Sequence, residues 1–120
     1  WAAAKLDDAM AWVPARLTAV AHVGAAAMRG RDRAALRAWR VDAPHHPSPN
    51  AGPVEATAAA ALGVTLGGET RYSYGIEKRP TLGVGPSPSV ATIHQAVRLS
   101  RGVQAAATVA IAGLMLWLRY

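Results

Sequence analysis

The segment "VQAAATVAIAGLMLWL", Val103–Leu118, decides the fold class. It is sixteen residues without a formal charge, bracketed by Arg101 and Arg119. As a helix rising about 1.5 Å per residue it measures roughly 24 Å, somewhat short of the roughly 30 Å hydrocarbon core of a bilayer. Arginines at both ends can snorkel to opposite interfaces, and Trp117 and Tyr120 suit an interfacial aromatic belt. The segment therefore predicts a C-terminal transmembrane helix over 102–120, in an all-α membrane protein of few helices.

Composition agrees with that class. Of 120 residues, 28 are alanine, Leu, Val and Ile together number 24, and phenylalanine is absent. Such a chain is poor in bulky core material, and small residues suit close helix–helix approach in membranes. The length allows one domain at most, or part of a larger one. A first residue of Trp1 points to a fragment or a processed product, and Asp7 and Asp8 stand where a signal peptide would turn apolar. With no cysteine, disulfides and thiolate chemistry are excluded.

Upstream, residues 1–29 read as a membrane-associated helix that Pro14 kinks or restarts. Its uncharged part, "LTAVAHVGAAAM" (17–28), is only twelve residues long. It suits a short or re-entrant membrane helix, or a buried soluble one. His22 within it reads either as a packed histidine or as part of a proton relay.

Residues 30–101 form a polar segment expected on the cytoplasmic side. The net charge is +6, and ten of thirteen basic residues lie between Arg29 and Arg101, where positive charge is retained inside. No Lys/Arg run with interleaved aromatics occurs, so nucleic acid is not an expected partner. "RGRDRAALRAWRV" (29–41) predicts a basic helix with Arg33, Arg37 and Arg40 on adjoining turns. That face reads as solvated or headgroup-facing, or as a docking face for an anion.

Four of the eight prolines then fall in residues 44–53, a stiff polar loop centred on "HPSPN" (46–50). Asn50 or Gly52 can cap the next helix, "PVEATAAAALG", which Gly63 should stop. The Gly67–Gly68 pair predicts a short β-hairpin over 64–75, followed by a Pro/Gly-rich loop from Glu77. Ser87 or Ser89 can cap a further helix before the C-terminal span.

Several chemistries are disfavoured by spacing. His45 and His46 are adjacent, so their side chains diverge and do not clamp a metal. Gly83-x-Gly85 lacks the remainder of a dinucleotide fingerprint. What remains is a constellation: an imidazole, a hydroxyl and an amide in His46, Ser48 and Asn50, then Glu55 at the start of a helix. Helix N-termini favour phosphate, and one carboxylate beside phosphates can hold Mg²⁺. Lys78 and Arg79 in "YGIEKRP" (74–80) add cationic donors. Each residue alone is equally at home in a loop or a cap. Together they favour an anion or phosphate site.

Three blocks carry a resemblance: "WAAAKLDDAMAWVPARLTA" (1–19), "HPSPNAGPVEA" (46–56) with "ALGVTLGG" (61–68), and "YGIEKRPTLG" (74–83). They are similar to the C-terminal part of the adenosylcobinamide-phosphate synthase family, CobD/CbiB, over nearly the whole chain. The resemblance implies a multi-pass protein of the cell inner membrane and a role in cobalamin biosynthesis. It implies ATP- and Mg²⁺-dependent amide formation between adenosylcobyric acid and aminopropanol or its phosphate. It assigns Glu55 to Mg²⁺ or base work, Ser48 and Asn50 to positioning, and His46 to orienting the loop or shuttling a proton. Lys78 and Arg79 would bind phosphate, and Asp7, Asp8 and Arg16 match a block that would complete the site, with helix-end charge an equally good account of them. The chain departs from the family where it reads Gly52-Pro53-Val54-Glu55 in place of the usual Gly-Trp-Pro-Glu, and it lacks the acidic Glu-Asn…Asp-Gly block of the family's N-terminal part. The fragment alone is therefore expected to be inactive and to need that part. The alternative reading is a small non-enzymatic membrane protein whose basic loop docks lipid or a partner.

Overall fold

The computed structural model describes residues 1–120. Helix α1 spans Ala2–Ala27, α2 spans Asp32–Arg37, α3 spans Ala51–Leu62 and α4 spans Val90–Arg119. Strands β1 (Leu66–Tyr72) and β2 (Gly75–Leu82) form one antiparallel hairpin between α3 and α4. The fold is thus mostly helical with one hairpin.

Alanine sets the packing. Asn50 meets Asp8 and Arg16, His22 meets Thr57, and Arg31 donates to the Ala61 carbonyl, so α1 and α3 run side by side in the same direction. Ala15, Ala19, His22 and Ala26 form the buried stripe of α1, at spacings of three and four residues. Pro14 neither ends nor restarts this helix. It removes one hydrogen bond of a 26-residue element, and the stripe that follows docks on α3. The core adds Ala35, Ala38, Ala43, Ala56, Ala60, Ala61 and Leu82. Twelve apolar residues are buried and ten of them are alanine, so each contributes far less than a leucine would.

The basic segment is not one helix over 29–41. Gly30 turns the chain after α1, and α2 gives way to a π turn at Ala38–Asp42 and a 3₁₀ turn at Ala43–His45. The helical run ends at His45, because His46 precedes Pro47 and takes the extended backbone that a following proline favours, φ −75° and ψ 137°. The turn has a structural use: Asp42 Oδ2 accepts the Gly83 N–H at 3.0 Å, tying the end of β2 to the π turn.

The hairpin also differs from expectation. Gly67 and Gly68 are not its turn. Both have positive φ and lie inside β1, where the register slips between Leu66 and Gly68: the extra residue is in β2, so Pro80 and Thr81 together face the single Gly67. The turn is at Ser73–Tyr74, closed by the Tyr72–Gly75 pair. Residues Glu77–Leu82, expected to be loop, are strand β2. Pro80 is tolerated there because a two-stranded sheet has only edge strands.

Gly63 ends α3 in the left-handed conformation, as anticipated. Ser89 caps α4 reciprocally with Thr92. The helix expected after Ser89 and the apolar run from 103 are one continuous 30-residue helix with no buried residue. It is the one helix long and apolar enough to cross a membrane.

Candidate active site

The 46–50 loop is held in place by its own polar groups. Ser48 Oγ accepts the backbone N–H of Ala51 at 3.1 Å and of Asn50 at 3.4 Å, so Ser48 supplies the cap of α3. Asn50, in the N-cap position, makes no side-chain cap. Its amide instead faces α1. Nδ2 donates to the Asp8 carbonyl at 2.8 Å, and Oδ1 accepts from Arg16 at 2.7 Å. Arg16 also lies over the Trp12 ring, 4.5 Å from its centroid. The clamp joins the loop to α1 through a buried amide. Asn50→Ala is expected to lower stability by about 1–3 kcal/mol, because the Asp8 carbonyl and the guanidinium both lose a partner. A thermal midpoint equal to that of wild-type would contradict this role.

His46 has its tautomer set by the backbone. Its Nδ1 accepts the Ser48 N–H at 3.0 Å, so in the neutral ring the proton sits on Nε2. Nε2 lies 3.5 Å from Glu55 Oε2. The imidazole thus sits beside one carboxylate oxygen of Glu55, at a distance longer than an ordinary hydrogen bond, and pairs with it as an ion pair when the ring is protonated. The Glu55 side chain is half exposed. Its remaining acceptor capacity is available to a ligand.

This pair forms one wall of a groove of about 540 Å³, and β2 forms the facing wall with Glu77, Lys78 and Arg79. Lys78 pairs with Glu69 across the hairpin at 3.3 Å, and Arg79 with Glu77 on its own strand at 3.2 Å. The hydrogen bond to Glu77 raises the Arg79 pKa further, so the guanidinium is charged at any working pH. Exposed pairs of this kind hold weakly, and a phosphate can compete for both cations.

The structure therefore gathers the expected residues into two neighbouring groups flanking the start of α3. His46, Glu55, Lys78 and Arg79 share the groove. Arg16, Asn50 and the Asp8 backbone form the clamp, with Ser48 in the turn between. Asp7 is exposed, and the carboxylates of Asp7 and Asp8 pair with no cation. The sequence reading missed Glu77 in the groove and Asp42 beneath it. Glu77 becomes legible only once 77–82 is read as a strand that faces α3.

Behind the loop, His22 Nδ1 meets Thr57 Oγ1 at 3.1 Å, while the Thr57 hydroxyl donates to the Pro53 carbonyl at 2.7 Å. The hydroxyl proton is thereby committed, so Nδ1–H donates to Thr57. Burial lowers the His22 pKa below its usual 6.5, against a smaller opposing effect of the Val54 carbonyl. This is the packed-histidine reading. In the unfolded chain the ring takes a proton near 6.5, whereas in the fold it resists until lower pH. The unfolded state binds more protons there, so this contribution to stability falls as pH drops through 6.5. His22→Gln should show a shallower loss of denaturation midpoint between neutral and mildly acidic pH. Parallel pH profiles would contradict the assignment.

The CobD/Cbib protein family matches residues 1–100 of the chain. A cobalamin biosynthesis protein CobD of Mycobacterium tuberculosis is 58% identical over 110 residues, covering 91% of this chain and 35% of that protein. Proteins of the same name from Stutzerimonas stutzeri and Chromobacterium violaceum are 50% and 45% identical over 99 and 117 residues. These alignments cover 82% and 97% of this chain, and 31% and 36% of the two relatives. The chain thus spans about a third of the length of the curated relatives it matches. No solved structure matches it.

Proposed function

The chain belongs to the CobD/Cbib protein family, and from that membership we propose that it carries part of the active site of a cobalamin-biosynthesis enzyme. The reaction is amide formation between a carboxylate of adenosylcobyric acid and the amine of aminopropanol or its phosphate, driven by ATP with Mg²⁺. The observation that carries this reading is the groove that Glu55, with His46 beside it, lines together with Lys78 and Arg79.

An amide forms when an activated carboxyl loses its leaving group to an attacking amine, and the amine must shed a proton. Glu55 is placed to take that proton, because its carboxylate borders the groove with His46 beside it. His46 is a positioning residue: its Nε2–H orients the carboxylate, and Ser48 orients the ring. Lys78 and Arg79 bind phosphate, carried by the amine substrate or by ATP. The volume lies within the range of small-molecule sites.

The chain brings no three potential metal ligands together. Mg²⁺ commonly needs only one or two carboxylates when phosphate oxygens complete its shell. Glu55 and Glu77 border the groove and fit that pattern, with Glu55 the first choice as ligand where it does not serve as the base. The ion, when bound, would neutralise phosphate charge beside the reacting carboxyl.

The same reading places the protein in the cell inner membrane as a multi-pass protein, with α4 as one span and the 30–101 segment on the cytoplasmic side. The remaining family length would complete the site and supply the other spans.

The test is reconstitution of the full-length protein with adenosylcobyric acid, aminopropanol phosphate and ATP–Mg²⁺, with amide product read by mass spectrometry. Absence of ATP-dependent product from folded protein would overturn the reaction. Replacing Lys78 and Arg79 together by alanine should raise KM for the phosphorylated amine or for ATP by about 10–100-fold, the scale of two charge-assisted hydrogen bonds. An unchanged KM for both substrates would remove the phosphate role.

A further inference from the structure

A second groove, of about 440 Å³, lies between the C-terminal half of α1 and the middle of α4. Its walls are mostly apolar, with Leu99 and Val103 on α4, and two arginines line it, Arg29 and Arg98. Neither arginine has an acid within 4 Å, and α4 contains no acidic residue at all.

The course of α4 sets what the groove can meet. Before it begins, Thr65 bonds the carbonyls of Gly85 and Pro86. Gly85 lies against Gly63, and Gly63 against Arg31. The helix therefore starts beside the C-terminal ends of α1 and α3, and Leu99 packs on the core below them. Its polar first turns, with His94, Arg98 and Arg101, precede the uncharged run from Val103. The groove straddles that change from polar to apolar.

Two helix-interior glycines, Gly24 and Gly102, line the same groove, and a Cβ added at either would meet nothing within 4 Å. Glycine is disfavoured inside helices, and here the space it leaves is filled by no side chain of this chain.

We propose that this groove binds an anionic phospholipid, with one acyl chain between Gly24 and Gly102 and the phosphate at Arg29 and Arg98. An apolar slot continuous with a membrane span, ending in unpaired arginines, has the complementarity of a lipid with a negative headgroup. The apolar walls offer nothing to free phosphate. The assignment rests on the membrane placement of α4 proposed above.

The experiment uses the full-length protein in its membrane, then in detergent with phosphatidylglycerol or phosphatidylcholine, read by native mass spectrometry. Phosphatidylglycerol should be retained over phosphatidylcholine. The double variant Arg29→Gln/Arg98→Gln should lower its affinity about 30-fold, the scale of two interfacial arginines. Gly102→Leu, which changes no charge and meets no neighbouring atom at Cβ, should reduce retention of both lipids. Equal retention of the two lipids by wild-type would overturn the site. So would full retention by either variant, or a groove that binds no lipid because another helix of the protein fills it. Alkaline extraction of the membranes reads insertion separately. Release of the wild-type protein would sink the membrane reading, whereas retention in the pellet without headgroup preference would sink only the lipid site.

Discussion

Glu55→Gln in the full-length protein is expected to lower turnover by about two orders of magnitude or more while KM changes little. That is the scale of one acid–base role. The substitution preserves shape, and the glutamine oxygen can keep the place of the carboxylate oxygen beside His46 Nε2. The side chain is half exposed on the first turns of α3, so folding and membrane insertion should be unaffected. The variant therefore isolates the negative charge and the proton-accepting oxygen. His46→Asn should cost less, about tenfold, because it loosens the carboxylate without removing it. A Glu55→Gln enzyme with near-normal product formation would reduce Glu55 to a solvated carboxylate at a helix start.

Gly67→Ala should destabilise the fold by at least about 3 kcal/mol and abolish most activity through displacement of β2. Gly67 has φ +79°, and a Cβ built there overlaps the carbonyl oxygen of Pro80. Relief requires the two strands to separate at the bulge, which carries Lys78 and Arg79 away from Glu55. Its neighbour supplies the control. Gly68 has φ +85° but open space at its Cβ, so Gly68→Ala should cost only the backbone preference, about 1–2 kcal/mol. Denaturant midpoints measured for both variants decide the matter. Equal losses would mean that the contact with Pro80 has no weight.

Much of the helical frame was legible because its signals are local. The alanine run to Gly63 and the Ser89 cap each act within a turn of chain. The apolar stretch before Arg119 is equally local, and α3 and α4 lie where those signals put them. His46, Glu55, Lys78 and Arg79 were also legible by type as members of a candidate anion site, whereas Glu77 was not, and their distances apart were not.

Other features were not local. Gly67–Gly68 reads as a turn from sequence because paired glycines supply positive φ. Whether they bend a hairpin or sit opposite a bulge in the partner strand depends on which residues pair across it, and Asp42 anchors the end of β2. Pro14 reads as a break, but α3 gives the residues after it an alanine surface to dock on. Asn50 reads as a cap, yet Ser48 takes that work and frees the amide to clasp Arg16 and the Asp8 carbonyl.

The amino-acid order by itself determined the element types, the alanine-rich helical class, the apolar C-terminal helix and the set of ionisable groups from which a site could be made. Only the tertiary structure decided which of those groups meet. It divided them between a groove and a clamp and left the Asp7 and Asp8 carboxylates unpaired. The physical reason is range. Propensity and capping act over one turn of backbone, whereas a side chain's partner and burial are set by residues 30 or 40 positions away, as Arg16–Asn50 and Asp42–Gly83 are.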